Sequence, residues 1–228
     1  MSTQPAEAVF SNIFAANTWG SMESVSGAGS ELSNTAQIIR ELPALLRELR
    51  VQTFLDLPCG DFNWMQHVDL EDIDYLGADI VDELVQRNNE RFGRPGRRFG
   101  KLDLLTGGLP EVDLVLCRDC LFHFSHADVF RALHALVDSR SQWLLTTTFT
   151  YRTLPRNGEI ETGGWTPINL EMPPYNLPPP RRLIVEGNVT EAIIYPSLEG
   201  SPRFPQTDRC LGLWLLDDVR ETLARIGR

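Results

Sequence analysis

Along the first 150 residues, short apolar runs alternate with stretches whose apolar positions recur every three or four residues. Ile38, Ile39, Leu42, Leu45, Leu46 and Leu49 stand at helical spacing, which predicts a helix with one face on a sheet and Pro43 kinking or dividing it. The run 53–57 predicts a first strand, 62–67 a short helix and 75–78 a second strand. A helix over 81–92, strands near 99–102 and over 112–117, and a helix over 127–137 continue the alternation. The apolar run Trp143–Phe149 closes it as a strand buried on both faces. Such interleaving predicts right-handed βαβ units, hence an α/β, Rossmann-like, doubly wound fold. With late strands over 182–186 and 211–216, the mostly parallel sheet has seven strands and helices on both faces.

Two regions fall outside this alternation. Residues 1–50 read as an N-terminal lid and helix, because the small, polar run 20–30 has no apolar period. Residues 151–181, rich in Pro and Gly and carrying Trp165 and Tyr175, read as an ordered acceptor-side loop, since long loops inside compact domains usually serve function. A terminal helix over 217–226 follows, with Asp217 as its cap. The 228 residues suit one domain, 1–228.

Composition narrows the function. A net charge of −10 and a pI near 4.9 oppose a phosphate backbone, so nucleic acid is not expected as a partner. No run reaches the ~20 apolar residues of a membrane span, and the opening residues lack a signal-peptide layout, which predicts a cytoplasmic protein without a membrane partner. Four cysteines, Cys59, Cys117, Cys120 and Cys210, are too few for a disulfide framework in a chain this long, and reduced thiols agree with that location.

In an open α/β sheet, ligands bind beyond the carboxyl ends of the strands where strand order reverses. Polar residues gather there: Asp56-Leu57-Pro58-Cys59-Gly60-Asp61-Phe62-Asn63-Trp64 after the first strand, Gly77-Ala78-Asp79-Ile80 after the second, Lys101-Leu102-Asp103-Leu104 after the third and Cys117-Arg118-Asp119-Cys120 after the fourth. The sequence resembles class I methyltransferases that use S-adenosylmethionine (SAM); more narrowly, Trp19-Gly20-Ser21-Met22-Glu23-Ser24-Val25-Ser26-Gly27, Leu55 to Met65 and Cys117-Arg118-Asp119-Cys120 resemble a group of short bacterial enzymes, some of which modify sugar hydroxyls. The resemblance implies SAM as cofactor, with Trp19, Asp56, Pro58, Gly60, Asp61, Asp79, Ile80, Asp103, Leu104 and Arg118 around it. Gly60 would let the backbone approach the methionine part, Asp56 would fix the loop or reach the amino group, Asp79 would grip the ribose, and Asp103 with Leu104 would meet the adenine. Pro58, Cys59 and Phe62 replace most glycines of the commonest form of this loop. The G-x-G-x-x-G of a dinucleotide site is absent, which disfavours NAD.

Methyl transfer to a hydroxyl needs alignment and a base. His123, just past the fourth strand, is the candidate general base, and Asp119 either orients it or binds the acceptor; a histidine packed at the start of the next helix is the competing reading. Trp165, Asn169 and Tyr175, with Trp19, are candidate acceptor contacts, since aromatic faces cover sugar rings and amides read hydroxyls. Cys117, Cys120, His123 and His126 mimic zinc spacing, but they run from a strand end across a turn, so no metal site is expected. Magnesium beside Asp119 stays open, with no ligand cluster identified. The expected activity is O-methylation of a small-molecule acceptor, with a sugar or oligosaccharide favoured; N- or carboxyl-methylation and a non-catalytic SAM-binding module are the alternatives, and a homodimer is compatible with the sequence.

Overall fold

The computed structural model describes residues 5–70, 72–150, 156–186 and 209–227. Residues 151–155 of the expected acceptor-side loop lie outside them. The elements run α1 (Ala6–Ala15), α2 (Leu32–Glu48), β1 (Thr53–Asp56), β2 (Asp74–Asp79), α3 (Asp82–Phe92), β3 (Arg97–Lys101), β4 (Leu114–Cys117), α4 (His126–Asp138), β5 (Trp143–Phe149), β6 (Arg182–Val185), β7 (Arg209–Leu215) and α5 (Leu216–Arg225).

The strands form one seven-stranded sheet in the order β3-β2-β1-β4-β5-β7-β6. The first five run parallel, while β7 runs antiparallel to both neighbours. Strand order reverses between β1 and β4, so the crevice expected to hold a ligand opens beyond Asp56 and Cys117.

Alternation along the strands sends residues to two cores. Phe54 of β1 packs with Ile38, Leu42, Leu45 and Leu46 of α2 and Val85 of α3, while Leu55 faces the α4 and α5 side with Val129, Leu133 and Val219. The buried face of α2 is continuous enough that Pro43 sits inside a single helix and does not divide it. Burial of that stripe outweighs the ladder bond that proline forgoes.

Three local expectations change. Helix α1 forms where none was expected; Phe10 packs edge-on against Phe124 and Phe14 lies beneath the Arg87 guanidinium. Only a 3-10 turn, Met65–His67, forms within 62–67, because Phe62 takes φ +60 and drives its ring among Tyr75, Phe92 and Phe99. Helix α5 starts at Leu216, with Leu215 at the cap position and Asp217 in its first turn, where a carboxylate still favours the helix dipole. No helix among the described residues is long and apolar enough to cross a membrane.

The end of the sheet away from the crevice is fastened by Asp113. Its Oδ2 accepts from the backbone N–H of Gln52 (2.8 Å) and Thr53 (2.8 Å) and from the Thr53 hydroxyl (2.9 Å), stapling β4 to β1. Partial burial would raise its carboxyl, but these hydrogen bonds hold it below the usual range. Asp113→Ala should cost about 2 kcal/mol in denaturant unfolding. Ligand binding at the opposite end of the sheet should be unaltered.

Candidate functional site

The carboxyl ends of β1, β2 and β4 open on a cavity of about 340 Å³. Asp56, Pro58, Gly60, Asp79, Ile80, Asp103, Leu104 and Arg118 all line it, as do Trp19, Asp119, His123 and Trp165. Its inner end is acidic. Asp79 is held by the backbone N–H of Gly60 (3.1 Å) and of Val81 (2.9 Å), which fix the carboxylate plane at the end of β2. Asp56 accepts from the Tyr75 hydroxyl (2.7 Å). Asp103 Oδ1 accepts from the Leu105 N–H (2.8 Å), setting the turn after β3.

The roof is the strap 16–31, tied to the loop after β1. Asp61 does not line the cavity; its carboxylate accepts from the Ser24 hydroxyl (3.0 Å), the Val25 N–H (2.9 Å) and the Ser26 hydroxyl (3.3 Å). Its own N–H donates to Ser26 Oγ (3.0 Å). Asn63 adds bonds to Glu23 (2.8 Å) and to the Ser30 carbonyl (3.0 Å). Gly60 has φ +56, and a Cβ there would collide with the Ser26 hydroxyl, so the close approach of strap to loop requires glycine.

At the other end lies a four-charge cluster, with Arg118 and Glu186 buried and Asp119 and Arg209 half-buried. Arg118 Nε donates to Glu186 (2.6 Å), its Nη2 to the Gly29 carbonyl of the strap (2.7 Å), and Nη1 pairs with Asp119 (3.2 Å). Arg209 bridges Asp119 (3.2 Å) and Glu186 (3.3 Å). The Arg118 guanidinium also stands 5.2 Å from the Trp64 ring centroid. Burial alone would raise the Asp119 carboxyl; Arg118 and Arg209 outweigh it and hold it below the usual range. Glu186 and Arg209 carry no recognisable motif, and sequence reasoning missed both. The one available signal was an acidic residue ending an apolar strand, whose partner lies 68 residues away in the chain.

His123 is buried beside this cluster. Its Nδ1 lies 2.7 Å from the Gly164 carbonyl and its ring stacks on Trp19, with centroids 5.2 Å apart and planes at 29°. A carbonyl only accepts, so Nδ1 carries the proton of the neutral ring and Nε2 keeps its lone pair. Burial pushes the imidazole below its ordinary value, against the opposing pull of Gly164 and Asp119.

Asn169 and Tyr175 lie away from the cavity. The Tyr175 hydroxyl is 2.6 Å from His126 Nδ1, and Asn169 is buried against Asn157, whose Oδ1 accepts its N–H at 2.7 Å. Both shape the acceptor-side loop from behind. Among the described residues no group of three His, Cys, Asp or Glu is placed to hold a metal ion.

Neither a protein-family model nor a curated protein sequence matches the chain. Among solved structures, the methyltransferase domain of bacterial CtHen1 (CtHen1-CN) superposes with a TM-score of 0.55 at 14% identity, over 80% of this chain and 99% of that one. The chain has a methyltransferase fold. Magnesium protoporphyrin IX methyltransferase (ChlM) from Synechocystis PCC 6803 with bound SAH also matches, at 17% identity over 65% of this chain and 74% of its own, with a TM-score of 0.49.

Within this methyltransferase fold the buried carboxylates are an electrostatic load. Burial, opposed by the Tyr75 hydrogen bond and by Arg118, pushes Asp56 up to about 7, and burial pushes Asp79 up to about 6. Both values exceed the ~3.9 of an unfolded aspartate, so the stability these groups contribute at low pH is lost as pH rises through 4 to 7. Asp56→Asn keeps an acceptor for the Tyr75 hydroxyl and removes the charge. Thermal unfolding across pH 4 to 8 should show this variant melting above the wild type at pH 8, with the gap closing towards pH 4.

Proposed function

We propose that the chain is a SAM-dependent methyltransferase that methylates a hydroxyl of a small acceptor, with His123 as general base. The observation that carries this reading is the convergence of Asp56, Asp79 and Asp103 from three strand ends on one cavity that His123 also lines.

The donor set suits an adenosyl sulfonium. Asp79 uses one lone pair on each oxygen for Gly60 and Val81, which fixes it to accept two further hydrogen bonds from a vicinal diol. Asp103 and Leu104 would edge the adenine, while Ile80, Val81 and Leu84 supply apolar surface for its faces. Asp56 and the backbone at Gly60 would hold the amino-acid end, where carboxylates also offset the sulfonium charge. When bound, SAM supplies the methyl group for an in-line displacement at carbon.

The protein's own work is alignment and proton removal. Burial keeps His123 neutral at pH 7, and the Gly164 carbonyl aims Nε2 away from itself, ready to accept the proton of an acceptor hydroxyl. Asp119, anchored by Arg118, Arg209 and the Thr147 hydroxyl, stands near enough to favour the imidazolium once that proton has been taken.

Calorimetry of the purified chain should show binding of SAM and of its product S-adenosylhomocysteine, no binding of NAD, and about tenfold or greater weakening in Asp79→Asn. Absence of SAM binding by the wild type overturns the assignment. With labelled SAM and fractionated metabolites, transfer should fall ~100-fold or more in His123→Ala. The wild-type kcat/KM should rise with pH through a midpoint below 6.5 and then level, because the neutral imidazole is the active form. Undiminished turnover by His123→Ala points instead to a nitrogen or carboxylate acceptor.

A further inference from the structure

Four rings form one continuous wall at the acceptor end of the cavity. Trp19 stacks on His123 at 5.2 Å, His123 meets Phe122 at 4.5 Å, and Phe122 meets Trp165 edge-on at 6.1 Å. They come from three separate stretches: the strap before α2, the turn after β4 and the loop before β6. Phe149 at the end of β5 backs the wall, 5.8 Å from Phe122 and 6.2 Å from Trp165. Trp19 and Trp165, 37% and 41% exposed, mark its outer edge.

Among the described residues, the charged groups beside this wall are committed to one another. Asp119 is shared between Arg118, Arg209 and Thr147, and Arg118 is divided between Glu186, Asp119 and the Gly29 carbonyl. Two positive and two negative side chains compensate one another, so the cluster offers an anionic acceptor no net attraction. Tyr175 and Asn169, the groups best suited to reading several hydroxyls, do not line the cavity. The wall itself presents one acceptor nitrogen, His123 Nε2, amid aromatic surface.

We infer that the acceptor is an uncharged planar aromatic compound carrying the methylated hydroxyl, a phenol in the chemical sense, and that Trp19 and Trp165 decide this preference. The inference rests on the SAM-dependent reading above and specifies its substrate class. A sugar entering the same space would leave several hydroxyls desolvated against rings, a heavy penalty for polar groups without partners. An aromatic ring loses nothing there and gains offset or edge contacts with the wall. The proton chemistry agrees: a phenol, near pKa 10 as in tyrosine, is a far stronger acid than an aliphatic hydroxyl and yields its proton to a weak imidazole base. The phenolic oxygen passes its proton to Nε2 and forms the new bond to the methyl carbon. The carbon–sulfur bond breaks with its electron pair left on sulfur, and His123 returns the proton to water.

Titration calorimetry of the full chain first loaded with S-adenosylhomocysteine tests this directly, using catechol, 2-naphthol, methyl α-glucoside and cellobiose. Release of S-adenosylhomocysteine from SAM is followed with the same four compounds. The expected result is binding and methylation of at least one phenol and neither sugar. In Trp165→Ala, KM for that phenol should rise about tenfold with kcat nearly unchanged, and Trp165→Phe should recover most of the loss. Methylation of either sugar, binding of neither phenol to the loaded protein, or an unchanged KM in Trp165→Ala overturns the inference while leaving the cofactor reading intact. Failure of S-adenosylhomocysteine itself to bind overturns the cofactor reading first, and the acceptor class with it.

Discussion

The carboxylate of Asp61 is the centre of the joint between the strap and the loop after β1, with Asn63 adding two bonds beside it. Placed directly after the positive-φ Gly60, it points out of the cavity and gathers the hydroxyls of Ser24 and Ser26 and the amide of Val25. Without it the loop after β1 would be an open rim; with it, the strap becomes a roof. Trp19 then reaches His123, and Gly29 presents its carbonyl to Arg118. Two of the segments that suggested a methyltransferase in the sequence, 19–27 and 56–64, are therefore the two halves of a single joint.

Charge is distributed so that each end of the cavity has its own character. The inner end concentrates Asp56 and Asp79, whose burial makes ionisation costly and suits them to a cationic ligand with hydroxyl donors. The outer end gathers as much charge, yet Arg118, Arg209, Asp119 and Glu186 neutralise one another. Removing one member of such a cluster leaves a buried charge uncompensated, a loss of about 3–5 kcal/mol in other proteins. The cluster joins β4, the end of β6, β7 and the strap, and so holds the acceptor end in shape without conferring a net charge on it.

Apolar periodicity made the sheet and α2 to α5 legible, because burial on two faces leaves a repeating record in the sequence. The acidic strand ends were legible for a related reason: a carboxylate at the mouth of a parallel sheet is unusual wherever it occurs. What failed was local structure decided by distant partners. Residues 62–67 were expected to be helical, but the ring of Phe62 gains more among Tyr75, Phe92 and Phe99 than a turn of helix offers. Asn169 and Tyr175 were credited with reading a ligand, yet neither lines the cavity: the Tyr175 hydroxyl meets His126, and Asn169 is held through its backbone N–H by Asn157. Residue type announces what a side chain can bind, not which way its loop turns it.

Helical cover is also missing at several crossings of the sheet, and what replaces it explains the cavity. The β1 to β2 connection holds only a 3-10 turn, and no helix forms between β3 and β4. Helix α1 fills part of that space: Lys101 of β3 pairs with Glu7 at 2.8 Å, and Phe10 packs on Phe124. The acceptor-side loop reaches the same helix at Gly163, where φ is +100 and a Cβ would lie 2.5 Å from Val9 Cγ1. Strap, α1 and acceptor-side loop thus gather above the sheet, and the strap and the loop supply Trp19 and Trp165 to the ring wall. Asp61 seats the strap and its neighbour Gly60 lines the cavity, so the loop after β1 serves roof and floor at once.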